Sequence, residues 1–210
     1  MVDPVIIVLR NYHPRKKPPM MNHRLPPGLL LAALLTFASQ GLAQYSSVTN
    51  STLLMRLVGE QSGTIIGEVT QAGREDSHRL LAYSHEIVAP YDPASGQSTG
   101  KQQHHPFRVV KLINRASPVL LEALAAKERL TTVMIDMWVP SPTGKEAHIF
   151  TYELTNARLV SLRSWMPNKS DPAAAGYPPA EELAFTYEKI KFTFEEGGIV
   201  GEDTWVAPET

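Results

Sequence analysis

Cysteine is absent from this 210-residue chain, which excludes a disulfide framework, a zinc ribbon, an iron–sulfur cluster and a cysteine nucleophile. An excess of charge of one sign is missing too. Twenty Lys and Arg oppose 21 Asp and Glu, a formal net charge of −1, so nothing points to a nucleic-acid partner. No stable membrane insertion is expected, because the apolar run Gly28 to Ala38 has 11 residues, against the ~20 that a spanning helix needs. Aromatic residues are sparse at 8%, but 43% of the chain is hydrophobic, enough for one domain with a sizeable core. Seventeen prolines against 13 glycines favour strands joined by punctuated loops over a helical bundle.

The amino end differs in kind from the rest. Residues 20–43 run from Met21, His23 and Arg24 through the apolar stretch to Ser39-Gln-Gly41-Leu-Ala43. This is the charge, apolar run and small-x-small order of a secretory signal peptide, with cleavage expected between Ala43 and Gln44. Residues 1–19, with Arg15-Lys16-Lys17-Pro18-Pro19, fit neither helix nor strand and read as a disordered or non-native leader. Residues 44–210 form the expected domain. They keep 15 basic and 20 acidic side chains, a formal charge of −5.

Past Ser51 the apolar pattern becomes short strand-like runs bounded by Gly, Pro and Asp. Strands are expected over Thr52–Val58, Thr64–Thr70, Arg79–Val88, Phe107–Ile113, Thr132–Val139, Ala147–Leu154 and Ala157–Leu162. A hairpin turn is expected at Pro140–Gly144. Ser117-Pro118 opens the one expected helix, with Ser117 as its cap, Pro118 in the first turn, and Leu120, Leu121 and Leu124 on one face. Two long loops, Pro90–Gly100 and Asn168–Pro179, lack any apolar period. In Glu182–Phe194 the apolar side changes between Tyr187 and Ile190, which predicts a bulge or bend near Glu188-Lys189. The fold class is mainly β: a small antiparallel β-barrel with one flanking α-helix.

Chemistry-bearing patterns are scarce. The chain has no Gly-x-Ser-x-Gly elbow, no His-Glu-x-x-His, no phosphate-cradling glycine loop and no dinucleotide fingerprint. No catalytic residue, metal ligand or cofactor is expected. Adjacent Glu181-Glu182 and Glu195-Glu196 point to opposite faces of a strand and read as a solvated edge. His104 and His105 are neighbours, and Pro106 biases His105 toward an extended backbone, so they cannot easily face one ion. His85 reads as a hydrogen-bonded core or interface residue. Trp138 reads as core rather than as a sugar platform beside Trp165 and Trp205. Sequons occur at Asn50-Ser51-Thr52 and Asn168-Lys169-Ser170.

A series of short segments carries more information in its order than any one motif. It comprises Gly73-Arg-Glu-Asp-Ser77, His85-Glu-Ile-Val88, Asp92-Pro-Ala-Ser-Gly96 with Thr99-Gly-Lys101, His104, Pro106-Phe107 and Ser117-Pro118. Pro140-Ser-Pro-Thr-Gly144, Leu154-Thr-Asn-Ala157, Phe185-Thr-Tyr187 with Lys189-Ile190, and Gly197-Gly-Ile199 follow. The series resembles the Hcp (haemolysin-coregulated) proteins, tube subunits of the bacterial type VI secretion system, over roughly Leu53 to Ile199. The resemblance implies a helix-flanked β-barrel without enzymatic activity that forms homo-hexameric rings stacked into a secreted tube. Its implied partners are a spike-tip protein, a contractile sheath and secreted effectors.

On that reading the candidate subunit or ring-stacking contacts are Tyr91, Asp92, Ser95, Thr99, Lys101, His104 and His105, because protruding loops can dock one ring on the next. The chain departs from its relatives at Gln102-Gln103-His104-His105, where basic residues are common, and at Asn114-Arg115-Ala116. The secretory-type segment is a larger departure. It implies either that residues 20–43 do not serve as a signal, or that the chain is an exported Hcp-like binding module acting outside any tube.

Overall fold

Alternation of side chains decides where strands form and which face each one buries. The computed structural model describes residues 51–141 and 144–205; the leader, the signal segment and the Ala43–Gln44 junction lie outside the described residues. In β1 (Thr52–Gly59), Met55 and Leu57 point inward while Arg56 and Val58 point out. In β6 (Phe107–Leu112), Phe107, Val109 and Lys111 are the buried set. The remaining strands are β2 (Gly63–Thr64), β3 (His78–Ser84), β4 (Ile87–Val88), β5 (Gln103–His104), β7 (Arg129–Pro140), β8 (Glu146–Trp165), β9 (Ala180–Thr186), β10 (Lys189–Phe194) and β11 (Ile199–Thr204).

Six of them close a barrel in the order β8-β7-β1-β3-β6-β9, with β9 returning to β8, and every pairing is antiparallel. Closure removes the free edges that would otherwise invite pairing with other chains. The core is filled by large apolar side chains, among them Phe107, Phe185, Leu154 and Ile135 from the barrel strands and Leu120 from the single described helix. Each contributes about 1.5–3 kcal/mol by leaving water.

One strand organises the whole. The structure replaces the two strands expected over Ala147–Leu154 and Ala157–Leu162 with the single 20-residue β8. Between the two expected runs, Asn156 lies within β8 with a φ of 51°, a left-handed conformation that Asn tolerates, while Thr155 and Ala157 on either side pair with β7. On both sides of Asn156-Ala157, β8 keeps one offset to the chain that follows, from Leu159–Phe185 and Arg158–Thr186 to Thr155–Lys189 and Phe150–Phe194. Strands β9 and β10 are therefore one bent strand on the same edge of β8, kinked at Tyr187-Glu188. The expected change of apolar side occurs there: Leu183, Phe185 and Tyr187 are buried before the kink and Ile190 after it. Beyond the kink, β10 leaves the barrel and pairs with β11, a strand the sequence reading did not contain.

Three further expectations are corrected. The run Thr64–Thr70 is a strand only at Gly63–Thr64. Its continuation presses against the backbone at Ser77, where a Cβ on Gly67 would lie 2.1 Å from the Ser77 carbonyl oxygen. The run Arg79–Val88 is interrupted at His85-Glu86, because β3 belongs to the barrel and β4 to a separate pair with β5. The helix α1 (Ser117–Ala125) forms as expected with Pro118 in its first turn. Its N-cap is Ala116, whose side chain has no acceptor, so there is no side-chain cap bond; Ser117 lies one residue inside, its hydroxyl accepting from the Asn114 amide at 3.1 Å and donating to Glu181 Oε1 at 2.8 Å. Leu120 is buried but Leu121 is exposed, and Ala123 takes the second buried position. The β7–β8 hairpin is as expected, paired out to Pro140 opposite Glu146.

Candidate functional site

The segment between β3 and β6 leaves the barrel and returns to it, and its geometry is set by its own polar side chains. Asp92 organises the tip: Oδ1 accepts from the Ala94 amide at 2.9 Å and Oδ2 from the Ser95 hydroxyl at 2.7 Å. Ser95 Oγ in turn accepts from the Gln97 amide, and Gly96, with φ 69°, supplies the left-handed turn. These hydrogen bonds hold the Asp92 carboxyl below its usual range. Cross-links from the Asp92 amide to Gln97 O and from the Thr99 amide to Pro90 O, with a bridge between Tyr91 and Ser98, make the loop a preformed small hairpin. Tyr91 is 65% exposed, and Ser95, Thr99 and Lys101 are exposed with it.

Below the hairpin, β4 and β5 pair through Ile87–His104 and Val88–Gln103, and the His105 amide donates to Glu86 O at 3.0 Å. The two expected histidines part here. His105 is exposed, 3.9 Å from Glu86 Oε2, whereas His104 is buried. Its Nδ1 shares a 3.0 Å hydrogen bond with Tyr187 Oη, and its Nε2 lies 3.4 Å from Asp203 Oδ2. Trp205 stacks on its ring at 5.5 Å. His85 meets the same hydroxyl from the other side, Nε2 to Tyr187 Oη at 2.6 Å, and its ring stacks on Phe107. Burial, then the neighbouring His104 and His105, push the His85 pKa down to about 4. Burial and the Asp203 carboxylate push the Tyr187 phenol up.

Sequence reasoning thus places the loop residues together and identifies His85 as hydrogen-bonded, but it misses Tyr187, Asp203 and Trp205. Their common signal is position: all lie at the open end of the β10–β11 ribbon, where Lys189 pairs with Thr204 and the Trp205 amide donates to Glu188 O. It also misreads Glu181. That carboxylate is not solvated but buried, 2.7 Å from the equally buried Lys111 ammonium, while Glu182 on the opposite face pairs with Arg108 at the surface.

Across the barrel a second polar group surrounds Trp138, whose ring lies between the Arg74 guanidinium and the His148 imidazole. Its Nε1 is buried without a hydrogen bond, so Trp138 serves as packing rather than as a sugar platform. His148 Nε2 sits 3.3 Å from Asp136 Oδ1 and 3.1 Å from the Thr151 hydroxyl, its Nδ1 lies 3.9 Å from Glu195 Oε1, and the same Glu195 oxygen accepts from the Thr151 hydroxyl at 2.6 Å. Among the described residues no group of three or more His, Asp or Glu is arranged to hold a metal ion.

Comparison with known proteins agrees with this geometry. Residues 55–194 match the family described as "Type VI secretion system effector, Hcp". The "Major exported protein" of Pseudomonas aeruginosa is 37% identical over 164 residues, covering 78% of this chain and 95% of that protein. A solved "Hcp protein" superposes with a TM-score of 0.70 at 26% identity, covering 75% of this chain and 99% of its own. The "Secreted protein Hcp3 from Pseudomonas aeruginosa" does so at 0.60 and 28% identity, with 75% and 99% covered.

Proposed function

Because this chain belongs to the Hcp family of type VI secretion proteins, we propose that it is a structural, non-enzymatic subunit of a hexameric ring that stacks into a secretion tube. The observation that carries this reading is the closed helix-flanked barrel, matched along most of its length to Hcp proteins. The preformed hairpin Tyr91–Lys101 supplies a rigid protrusion, and a rigid protrusion loses little conformational entropy on docking. Its exposed Tyr91 adds a large amphipathic contact surface. Tyr91, Asp92, Ser95, Thr99, Lys101 and His105 are the inter-subunit or inter-ring contacts on this view, and His104 anchors them from below. A spike-tip protein, a contractile sheath and effectors carried in the lumen complete the assembly. Light scattering on the size-exclusion peak tests the reading, with hexamers expected and rings visible by electron microscopy. A strict monomer at all concentrations would overturn it.

The secretory-type sequence at residues 20–43 favours a second reading, an exported Hcp-like module that binds a ligand outside any tube. The amino-terminal residue of the protein recovered from each cell fraction separates the two. Gln44 at the amino terminus of periplasmic protein supports export through the general pathway, and an intact amino end in the tube fraction supports the first reading.

A further inference from the structure

His85 and His104 bracket one excursion of the chain, the stretch from Glu86 to Gln103 that includes the β4–β5 pair and the hairpin at its tip. Both ends are clasped by a single hydroxyl, Tyr187 Oη, at 2.6 Å and 3.0 Å. We propose that Tyr187, held between His85 and His104, is a pH-sensitive latch that seats this excursion on the barrel at neutral pH and releases it in acid.

A phenol has one hydrogen to donate and lone pairs to accept with. With both imidazoles neutral the chain of bonds is complete: His85 Nε2–H donates to Tyr187 Oη, Tyr187 O–H donates to His104 Nδ1, and His104 Nε2–H faces Asp203. A first proton reverses the direction without breaking the chain: taken up at His85 Nδ1, it lets the Nε2 proton of His85 pass to Tyr187 and the Tyr187 proton pass to His104 Nδ1. His104 Nδ1–H then donates to Tyr187 Oη, and Tyr187 O–H donates to the now unprotonated His85 Nε2. A second proton has no such solution. Both nitrogens become donors aimed at one oxygen, the phenol hydrogen loses its acceptor, and two positive charges share a half-buried site.

Geometry fixes the rings so that they cannot simply turn away. Phe107 stacks on His85 at 5.1 Å and Trp205 on His104 at 5.5 Å. The other titratable groups around the latch are His105 and Glu86 from the excursion, Arg108 from β6 and Glu202 from β11. Arg108 is engaged by Glu182, and Glu202 by Lys189. Glu86 lies on the exposed His105, which leaves Asp203 as the one carboxylate touching the clasp. The low His85 pKa, about 4 against an ordinary 6.5, has the matching sign. A histidine whose folded pKa is depressed leaves the seated form intact above 6.5 and destabilises it progressively as pH falls toward 4. The latch operates within a single chain and does not depend on ring formation.

Hydrogen exchange of the full chain, corrected for the intrinsic pH dependence, tests this. Protection of the β4–β5 amides and of the His105 amide is expected to fall roughly tenfold or more as pH drops from 6.5 to 4, while β1–β7 amides keep theirs. His85→Phe keeps the aromatic packing and removes one proton site, and it should retain loop protection down to pH 4. Tyr187→Phe removes only the hydroxyl, and it should lower loop protection already at neutral pH, leaving a smaller further loss in acid than the native chain shows. An acid profile in His85→Phe equal to that of the native chain would overturn the latch. So would simultaneous loss of loop and barrel protection in the native chain.

Discussion

Replacing Glu181 by Leu should cost far more than replacing its neighbour Glu182, and the difference follows from where each carboxylate points. Glu181 and Lys111 are each 1% exposed and 2.7 Å apart. The ammonium also donates to Asn114 Oδ1 at 2.8 Å and Leu112 O at 3.1 Å, and Glu181 accepts from Ser117. Glu181→Leu leaves an ammonium inside the barrel with two neutral acceptors. Breaking such a pair from one side costs about 3–5 kcal/mol. At a urea m-value of about 2 kcal/mol/M, that moves the midpoint down by roughly 2 M. Glu182→Gln breaks a half-exposed pair with Arg108 and should change stability by about 0–1 kcal/mol. The double variant Lys111→Met with Glu181→Leu removes both charges and should recover most of the loss. Urea denaturation at one fixed protein concentration measures all four forms, since assembly would otherwise shift the midpoint. Equal effects of Glu181→Leu and Glu182→Gln, or a double variant no better than the single, would refute the reasoning.

Other outcomes follow from single contacts. Gly67→Ala should destabilise by about 1–3 kcal/mol in urea, because its Cβ would meet Ser77 backbone atoms that cannot move independently of β3. Phe107→Ala, at a position fully buried between Tyr83 and His85, should cost about 3–5 kcal/mol. Asp92→Ala should abolish exchange protection at the Ala94 amide while leaving the urea midpoint in place. In the native chain the same turn should survive through pH 3.8 and loosen only below it, since the carboxyl is held down in the folded form. Tyr152 and Tyr187, both pushed up chiefly by burial, should stay protonated above pH 10 in an ultraviolet phenolate titration. Stability should fall as pH rises beyond that point, because the unfolded phenols ionise first.

Much of the architecture was legible because it rests on local pattern. The alternation in Thr52–Val58 and Phe107–Ile113, the Ser-Pro helix start and the change of apolar side at Tyr187–Ile190 each have a short-range cause. The misreadings have long-range causes. The two runs Ala147–Leu154 and Ala157–Leu162 read as separate strands, yet the pairings of β7 with Thr155 and Ala157 carry the ladder past Asn156 as one β8. Glu181 reads as solvated, because nothing near it in sequence reveals that an inward Lys111 waits on β6. The loop Tyr91–Lys101 announces itself by its turn residues, but Tyr187, Asp203 and Trp205 reach its base only after the chain has completed the barrel.

The position of β9 in the barrel sets when the fold can be finished. It is the last barrel strand in the sequence, and it pairs at once with β6, some 70 residues earlier, and with the far half of β8. Until Ala180–Thr186 has been synthesised, β6 and the carboxyl half of β8 each present an open ladder, and α1 and the β7–β8 hairpin have no closed wall to pack on. Pairings this distant along the chain make folding slow. A nascent chain therefore stays open until that strand has emerged. It also stays exposed to premature contact with other copies, so the interval before closure is when a partner or chaperone has most to gain by binding it.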